Sequence, residues 1–501
     1  MLRLLQPLTG DSRGVTRREL LRVGSLGTLG VSLPQLLAGR SGLAAETAPA
    51  SRAKACIFVF LFGGPSQLET FDLKPHAPSG FRGDFSPIPT NVPGIEISEH
   101  LPLLAGQADK FTIVRSMTHE HPRHGWGLYF TFTGQRHSRP DLDAPPTPDD
   151  HPGLGSMVSY AATLPTRSVS EGSSPTPSLT LRVGVPDAAV GDSTRSMPPA
   201  ITLPRWNRFL DLPADYAGEK AGFLGSAFDP WLVKAPPPKY EYEVNGIELP
   251  GGLTFGRLAG RRELLNTLDR RIATLGNSPV GTQHDALYQQ ALSLVTSEKA
   301  RGAFDLSRES DSLRDRYGRH PLGQGLLLAR RLVEAGTTLV TVNWHDDGSD
   351  VKSPFWDTHR DNFNSLKTKL MPPADRGLAA LLADLADRGL LDSTLVVVAG
   401  EFGRTPRIGR VVMNAATDAT GRDHWPHAYS ILLAGGGVRG GHIHGASDDR
   451  AAYVTRDPVT PPDLVATILW SLGIDLSTTL RNRLNRPQPL VTGTPVEALF
   501  I

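Results

Sequence analysis

The chain has 501 residues, with 52 basic and 51 acidic side chains and a formal net charge of +1. This balance excludes the strongly charged footprint of a nucleic-acid-binding protein or of a protein held on anionic membranes by its net charge. The length suits one large α/β domain or two ordinary ones, and the single cysteine, Cys56, cannot form an internal disulfide.

The amino terminus has the features of a targeting segment. Arg17 and Arg18 precede an uncharged, moderately apolar stretch at 23–39, and small residues follow at 44–50. This order predicts a twin-arginine signal peptide over residues 1–45 and therefore export to the periplasm or the exterior. Several glycines and Pro34 argue against a stable membrane-spanning helix. The alternative is a basic amphipathic helix of the mature protein.

Residues 46–501 are predicted to form a single domain with an irregular insertion around 163–253, where Pro, Gly and Ser are abundant. Apolar β-rich runs predict strands at 55–61, 111–114, 337–342, 394–399 and 429–433. Helical spacing predicts helices at 155–162, 325–335, 362–388 (interrupted near Pro372 and Pro373) and 460–472, and either a helix or a buried segment at 125–132. The alternation predicts an α/β fold with a mostly parallel central sheet covered on both faces.

Three acid- and histidine-containing clusters stand out in the last third of the chain. They are Trp356-Asp357-Thr358-His359, the segment 400–406 with Glu401 and Arg404, and the segment 421–427 with Asp423 and His424. In α/β folds, ligands bind where loops leave the carboxyl ends of parallel strands. Three such loops could therefore converge on one divalent metal site.

Carboxylate and imidazole ligands suit Zn, Mn, Ca or Mg, and the absence of cysteine ligands excludes a zinc ribbon. Asp357 and His359 are two residues apart, so in an extended loop both can face one ion. Arg404 could hold an anionic substrate group with two hydrogen bonds. Together these features indicate metal-assisted hydrolysis of an oxyanion ester. Alternatively, Asp357 and His359 form a loop hydrogen bond, and Glu401 with Arg404 a structural salt bridge.

The glycine-rich segments lack the marks of other catalytic classes. Gly63-Gly64-Pro65-Ser66 has no Gly-Lys-Ser/Thr ending and is not a phosphate-binding P-loop, and Gly435-Gly436-Gly437 is also interpreted as a tight turn. The single Gly-x-Ser-x-Gly match, at residues 10–14, lies within the predicted signal peptide, and none occurs after residue 45, which weakens a serine esterase interpretation.

Several of these motifs together resemble the exported proteins of domain-of-unknown-function family 1501, which belongs to the alkaline phosphatase and sulfatase superfamily. The motifs are Arg17-Arg18 and the segments 62–75, 356–359, 400–406, 421–426 and 434–437. The resemblance covers nearly the whole chain. It implies a three-layer α/β/α sandwich, alkaline-phosphatase-like, and a metal-dependent hydrolase ancestry.

The resemblance also implies roles for individual residues. Asp357 and His359 match a metal-binding Asp and His loosely. Glu401-Phe402 stands where the superfamily has an Asp-His pair that binds the second metal, so one ligand is lost. The histidine that completes the first metal site is best matched by His424, with His427 second. The early strand normally ends in a metal-binding Asp. Here it ends in Phe62-Gly63-Gly64, and the nearest acids are Glu69 and Asp72.

The expected nucleophile is the largest departure from the superfamily. Nine residues before Thr133 of the Thr133-Gly134 pair stands His124, where the superfamily has Ser, Thr or a modified Cys. His124 could be a nucleophile, a metal ligand or a general base. Ser116 and Thr118 lie upstream in the same loop, with His119 and His121. Because of His124, the resemblance does not imply the usual hydrolytic mechanism.

We therefore expect an exported metal-dependent hydrolase that acts on phosphate or sulfate esters of a small molecule or a polysaccharide. The expected metal ligands are Asp357, His359, Glu401, Asp423 and His424. Arg404 is expected to contact the substrate, and His124 to have a catalytic role that the sequence does not specify. The alternatives are a non-catalytic protein that binds an anionic polysaccharide and a structural protein without a ligand.

Overall fold

A computed structural model describes residues 52–139, 145–164, 197–204, 217–233, 297–344, 355–414 and 416–501, together with residues 257 and 260. The chain divides into two units, Met1–Ala50 and Ser51–Ile501. The described residues all belong to the second unit, so the signal predicted over 1–45 lies outside them. Within the described part of the chain, no helix is both long and apolar enough to cross a bilayer.

The strands follow the apolar runs of the sequence. In chain order they are β1 (Ala55–Phe60), β2 (Pro87–Pro89), β3 (Glu96–Ser98), β4 (Phe111–Met117), β5 (Ala200–Leu203), β6 (Trp231–Leu232), β7 (Leu339–Asn343), β8 (Thr394–Ala399), β9 (Gly403–Arg404), β10 (His424–Trp425), β11 (Tyr429–Ala434), β12 (His442–His444), β13 (Ala446–Ser447), β14 (Val454–Arg456), β15 (Thr479–Arg481) and β16 (Pro487–Pro489). All five predicted strands are therefore present, with small shifts at their ends.

A large sheet forms the centre of the second unit. Among the described residues it has eight strands, in the order β12-β4-β11-β8-β1-β7-β5-β6. Strand β11 is antiparallel to both of its neighbours, and the other neighbouring pairs are parallel. The mostly parallel sheet predicted from the sequence is confirmed. Strand β1 is buried along its whole length, as expected for an uninterrupted apolar run covered on both faces.

Helices form a layer on each side of this sheet. They are α1 (Pro102–Ala105), α2 (His124–Thr133), α3 (Leu154–Ala161), α4 (Glu298–Phe304), α5 (Asp311–Tyr317), α6 (Pro321–Ala335), α7 (Asn362–Ser365), α8 (Met371–Asp387) and α9 (Pro461–Ser471). Helix α6 packs on β1, β7 and α8, whereas α2 packs against α9. Phe132 of α2 contacts the rings of Phe58 and Phe60 on β1. The three-layer α/β/α sandwich is thus confirmed.

Two helix boundaries show how local sequence determines the ends of elements. The predicted interruption of the 362–388 helix is a change of helix type, because a π-helical turn over Leu366–Leu370 separates α7 from α8. Pro372 and Pro373 lie at the start of α8, directly after this π-helical turn. Thr460 and Asp463 form a capping box at the start of α9.

The segment predicted as an irregular insertion, 163–253, falls mostly outside the described residues. Its described parts, 197–204 and 217–233, include β5 and β6. These two strands extend the central sheet beyond β7, at one of its edges. This part of the segment therefore belongs to the main fold.

Aligned strand ends bring the sequence clusters together. Phe60 at the end of β1 is paired with Asn343 of β7 and Ala399 of β8. The loops that follow these strands consequently start side by side at one edge of the sheet. Because β11 runs in the opposite direction, its amino end lies at the same edge. This direction explains why the third cluster, which precedes β11 rather than following a strand, also arrives there.

The loop after β1 depends on two glycines with positive φ. Gly63 has φ +106°, and a Cβ there would lie 2.4 Å from the backbone nitrogen of Asp357. Gly64 has φ +85°, and a Cβ there would lie 2.6 Å from Cδ2 and 2.7 Å from the carbonyl oxygen of Phe402. The loop after β1 can therefore lie this close to the loops that contain Asp357 and Phe402 only because Gly63 and Gly64 have no side chains.

We predict that Gly64→Ala destabilises the protein far more than Gly94→Ala. Gly94 has the same φ of +85°, but a Cβ there would meet nothing within 4 Å, so it is a matched control for backbone strain. We expect Gly94→Ala to lower the free energy of unfolding by about 1–2 kcal/mol. Gly64→Ala should cost about 1–3 kcal/mol more because its methyl group clashes with Phe402. Denaturant unfolding measures both, and equal losses would contradict the close-packing explanation.

Candidate metal centre

Four buried side chains meet at the carboxyl edge of the sheet. They are His124, the first residue of α2; Asp357 and His359, which lie between β7 and α7; and His424 of β10. One potential ligand atom from each lies within 4.8 Å of the others. We call these four residues the metal-ligand group.

The spacing within the metal-ligand group fits a single ion. Oδ1 of Asp357 is 2.9 Å from Nε2 of His359 and 3.0 Å from Nε2 of His424. The two Nε2 atoms are 3.0 Å apart, and Nε2 of His124 is 3.3 Å from Oδ2 of Asp357. Ligand atoms bound at about 2.0–2.1 Å to a tetrahedral zinc lie about 3.3 Å from one another. These four separations need only small adjustments to reach that geometry, and one ligand atom from each of the four residues lies within 4.8 Å of the others.

Hydrogen bonds at Nδ1 orient all three imidazoles. Nδ1 of His124 is 2.6 Å from Oε1 of Glu401, and Nδ1 of His424 is 2.6 Å from the carbonyl oxygen of Pro122. Nδ1 of His359 is 2.9 Å from the hydroxyl of Thr417. A carbonyl and an ionised carboxylate can only accept, so Nδ1 donates and Nε2 is left for a metal.

The facing nitrogens favour a cation between them. When Nδ1 carries the proton in both His359 and His424, two Nε2 lone pairs point at each other across 3.0 Å. A cation between them removes this repulsion, and the neighbouring carboxylate of Asp357 supplies negative charge. The donor chemistry of the group therefore fits a divalent metal ion.

Charges within the group favour the metal-binding protonation states of Asp357 and His424, but not that of His124. Burial would raise the pKa of Asp357, but the adjacent His124 and Arg404 outweigh it and hold the pKa well below its usual range. Burial, together with the nearby charge of His124, lowers the pKa of His424 to about 3. Burial disfavours the charged form of His124, yet Asp357 and Glu401 raise its pKa to about 10. Asp357 is thus ionised and His424 neutral, whereas His124 carries a proton.

Glu401 lies behind His124, outside the metal-ligand group. Its fully buried carboxylate accepts hydrogen bonds from the backbone nitrogen of Gly63, at 2.9 Å, and from His124. Its carbonyl oxygen is 2.7 Å from Nε2 of His119. The sequence predicted Glu401 as a ligand, and the structure gives it contact with the group only through His124.

Asp423, also predicted as a ligand, lies outside the group as well. Its Oδ2 accepts the backbone amides of Val412, Met413 and Asn414 at 2.6, 2.7 and 3.0 Å. Its Oδ1 accepts the amide of His424 at 2.7 Å and is 3.5 Å from Nδ1 of His359. Asp423 therefore lies behind the imidazole of His359 and fixes the backbone of His424.

Arg404 is fully buried, and its guanidinium faces the backbone. It donates to the carbonyl oxygens of Gly63, Gly64, Trp356 and Arg422, and to Oδ1 of Asp357 at 2.5 Å. In this position Arg404 joins the loops and orients Asp357. The substrate contact expected from the sequence would require the guanidinium to leave these acceptors.

The early acids do not supply the aspartate that the superfamily has at the end of its first strand. Glu69 forms a fully buried ion pair with Arg422 at 2.8 Å. Asp72 pairs with Lys74 at 2.8 Å and receives a hydrogen bond from Ser447. Both carboxylates therefore hold loops together.

The sequence assigned no role to three polar residues that support the site. Gln67 forms two hydrogen bonds with the backbone of Arg404, at 2.9 and 3.0 Å. His119 and Thr417 contact Glu401 and His359, as described above. Gln67 belongs to the motif at 62–75, which was noted only for its resemblance. Thr417 has no recognisable local pattern.

We predict that metal binding releases about one proton at neutral pH. His124, with its pKa raised to about 10, is protonated at pH 7 and must lose that proton to become a ligand. The apparent affinity should therefore rise about tenfold per pH unit as the pH increases from about 6 to about 8. Titration calorimetry in buffers of different ionisation enthalpy measures the released proton. An affinity independent of pH would contradict ligation by His124.

Solved structures show distant similarity to this chain. A lipoteichoic acid synthase, LtaP, from Listeria monocytogenes is 11% identical, with 85% of this chain and 74% of that chain covered and a TM-score of 0.33. PsFucS1 sulfatase from Pseudoalteromonas sp. is 12% identical, with coverages of 88% and 72% and a TM-score of 0.36. The phosphonate monoester hydrolase SpPMH from Silicibacter pomeroyi is 15% identical, with coverages of 89% and 76% and a TM-score of 0.31. Similarities this weak assign no activity to the chain.

Sequence comparison identifies a family directly. A search of curated proteins finds no significant match. The profile of the family described as "Protein of unknown function (DUF1501)" matches residues 53–181 and 184–500, which is most of the chain. The matched residues include the whole metal-ligand group and the loops that support it. The chain therefore belongs to the DUF1501 family.

Proposed function

We propose that this protein is an exported, metal-dependent hydrolase of phosphate or sulfate esters. One observation carries the proposal: three imidazole nitrogens and one carboxylate converge in a buried group at the carboxyl edge of a parallel sheet. That edge is where α/β proteins bind ligands. The hydrogen bonds at each Nδ1 support ligation, since metal-binding histidines usually donate that proton to a carbonyl or a carboxylate.

The donor set narrows the choice of metal. Calcium and magnesium prefer oxygen ligands, whereas imidazole suits zinc and other first-row transition metals. Three imidazoles with the carboxylate of Asp357 therefore favour zinc or manganese over calcium or magnesium. We expect His124, Asp357, His359 and His424 to hold this ion.

A bound ion that takes a fifth ligand besides these four residues would polarise an ester oxygen or lower the pKa of a water molecule at that position. The residues around the group would keep the ligands in position: Arg404 fixes Asp357, Glu401 holds the Nδ1 proton of His124, and Pro122 holds that of His424. The hydroxyl of Thr417 faces Nδ1 of His359, on the far side of the ring from the group. His124 stands nine residues before Thr133, at the position where the resemblance implies a hydroxyl or thiol nucleophile. We therefore propose direct attack by water on the ester.

We predict one tightly bound divalent ion per chain and metal-dependent hydrolysis of an aryl phosphate or an aryl sulfate. His359→Ala should lower metal affinity by more than about 100-fold, because it removes a ligand rather than a supporting residue. His427→Ala is the matched control: His427 packs against Trp425 and Tyr453, outside the metal-ligand group. Metal analysis and an ester hydrolysis assay test both variants.

Less than one bound ion per chain, without hydrolysis by a metal-supplemented sample, would overturn the enzyme proposal. His124→Ala then separates two roles. Loss of metal means that His124 is a ligand, whereas loss of activity with the metal retained means that it acts on the substrate. Bound metal without hydrolysis, combined with binding of a sulfated polysaccharide, would instead support the non-catalytic alternative.

Export by the twin-arginine pathway is a separate part of the proposal, supported by Arg17, Arg18 and the apolar stretch after them. We predict that replacing both residues by lysine blocks export while positive charge is retained. Fractionation of a bacterial host that expresses the full chain measures the periplasmic share. Unchanged export of the double-lysine variant would contradict the pathway, and Arg22→Lys is a control outside the arginine pair.

A further inference from the structure

An exposed apolar segment lies beside the metal-ligand group. Val411, Val412 and Met413 are consecutive, and their exposed fractions are 52%, 37% and 39%. Single exposed apolar side chains are common on soluble proteins, whereas clusters indicate contact with a partner or a lipid surface. The segment Arg407–Asn414, called here the apolar loop, follows the second sequence cluster.

The shape of the apolar loop is set by Asp423. Three successive backbone amides, those of Val412, Met413 and Asn414, all donate to Oδ2 of this buried carboxylate. The backbone therefore curves around the oxygen with its amides on the inside. The side chains consequently project outwards from the convex side, and the carboxylate holds the loop in this form.

Positive charge flanks the apolar tip. Arg407 and Arg410 are both exposed, and the stretch from 407 to 414 contains no acidic residue. The guanidinium of Arg410 lies 4.9 Å from the ring centre of Trp425. Within the described residues, neither arginine forms an ion pair with a carboxylate. Both charges are thus available to an anionic surface.

We propose that the apolar loop docks the protein on an anionic lipid surface. Apolar side chains that enter the boundary between headgroups and acyl chains, with cationic side chains beside them, are the combination that such surfaces bind. A convex tip can insert three apolar side chains into a lipid boundary, whereas a flat protein surface would leave them partly exposed. The net charge of +1 does not reveal this attraction to anionic lipids, because only the charges of the apolar loop produce it.

Docking would bring the metal-ligand group close to the lipid surface. Asp423 binds the apolar loop through Oδ2, and its Oδ1 accepts the amide of His424. The loop continues to Thr417, whose hydroxyl contacts His359. The substrate class would then be esters carried on lipids. This consequence rests on the proposed hydrolase function, whereas docking itself does not.

A fluorescent label can test docking at the loop itself. Cys56 is the single cysteine of the chain and is completely buried, so an introduced cysteine can be labelled selectively. Val412→Cys places an environment-sensitive dye on the apolar tip and leaves the backbone bonds to Asp423 in place. Leu103→Cys is the control, because Leu103 is 53% exposed on a different part of the surface.

We predict that the dye at position 412 shifts to the blue with vesicles of phosphatidylcholine and phosphatidylglycerol, and much less with phosphatidylcholine alone. The dye at position 103 should not shift. Adding Arg407→Gln and Arg410→Gln to the labelled Val412→Cys protein should weaken binding to the anionic vesicles about 25-fold, or about fivefold per charge. The label reports the loop, so lipid binding by residues 1–50 does not imitate the result.

No shift at position 412, or an equal shift at both positions, would overturn the proposal. A shift that grows with protein concentration in the absence of vesicles would also overturn it, since it would mean that the loop contacts a second copy of the chain. The measurement needs neither metal nor substrate. Failure of docking is therefore distinguishable from failure of the proposed hydrolase function.

Discussion

The carboxylate of Asp357 is the negative charge around which the metal-ligand group is assembled. It is buried, and it lies against three imidazoles and the guanidinium of Arg404. A buried, ionised carboxylate is stable only when opposite charges and hydrogen bonds replace the water that it has lost. Arg404 supplies part of this compensation and contacts the loop after β1 at the same time. The ligand geometry and the packing of the loops therefore depend on each other.

A second set of contacts holds the metal-ligand group from behind. Glu401, Asp423, Thr417 and Pro122 accept or face the Nδ1 atoms of the three histidines. Each of these partners lies on a different segment of the chain from the histidine that it contacts. The imidazoles are consequently oriented before any ion binds, which lowers the cost of forming the site.

Asp423 extends this arrangement to the protein surface. One of its oxygens faces the ligands, and the other fixes the apolar loop with three amide hydrogen bonds. The same carboxylate thus connects a buried centre to an exposed apolar and cationic tip. The proposed metal site and the proposed lipid contact therefore belong to the same set of loops. A carboxylate can link them because its two oxygens accept several hydrogen bonds at once.

The sequence by itself determined the central strands, because uninterrupted apolar runs must be buried, and it predicted that clusters near strand ends would meet. It also marked His124, but only through a resemblance counted back from Thr133. The tertiary structure decided which acids face the histidines. Glu401 and Asp423 are chemically like Asp357, yet they point behind the ligands because side-chain direction depends on how loops pack. The reversed direction of β11, which brings His424 to the site, depends on strand pairing between distant residues and has no local signal.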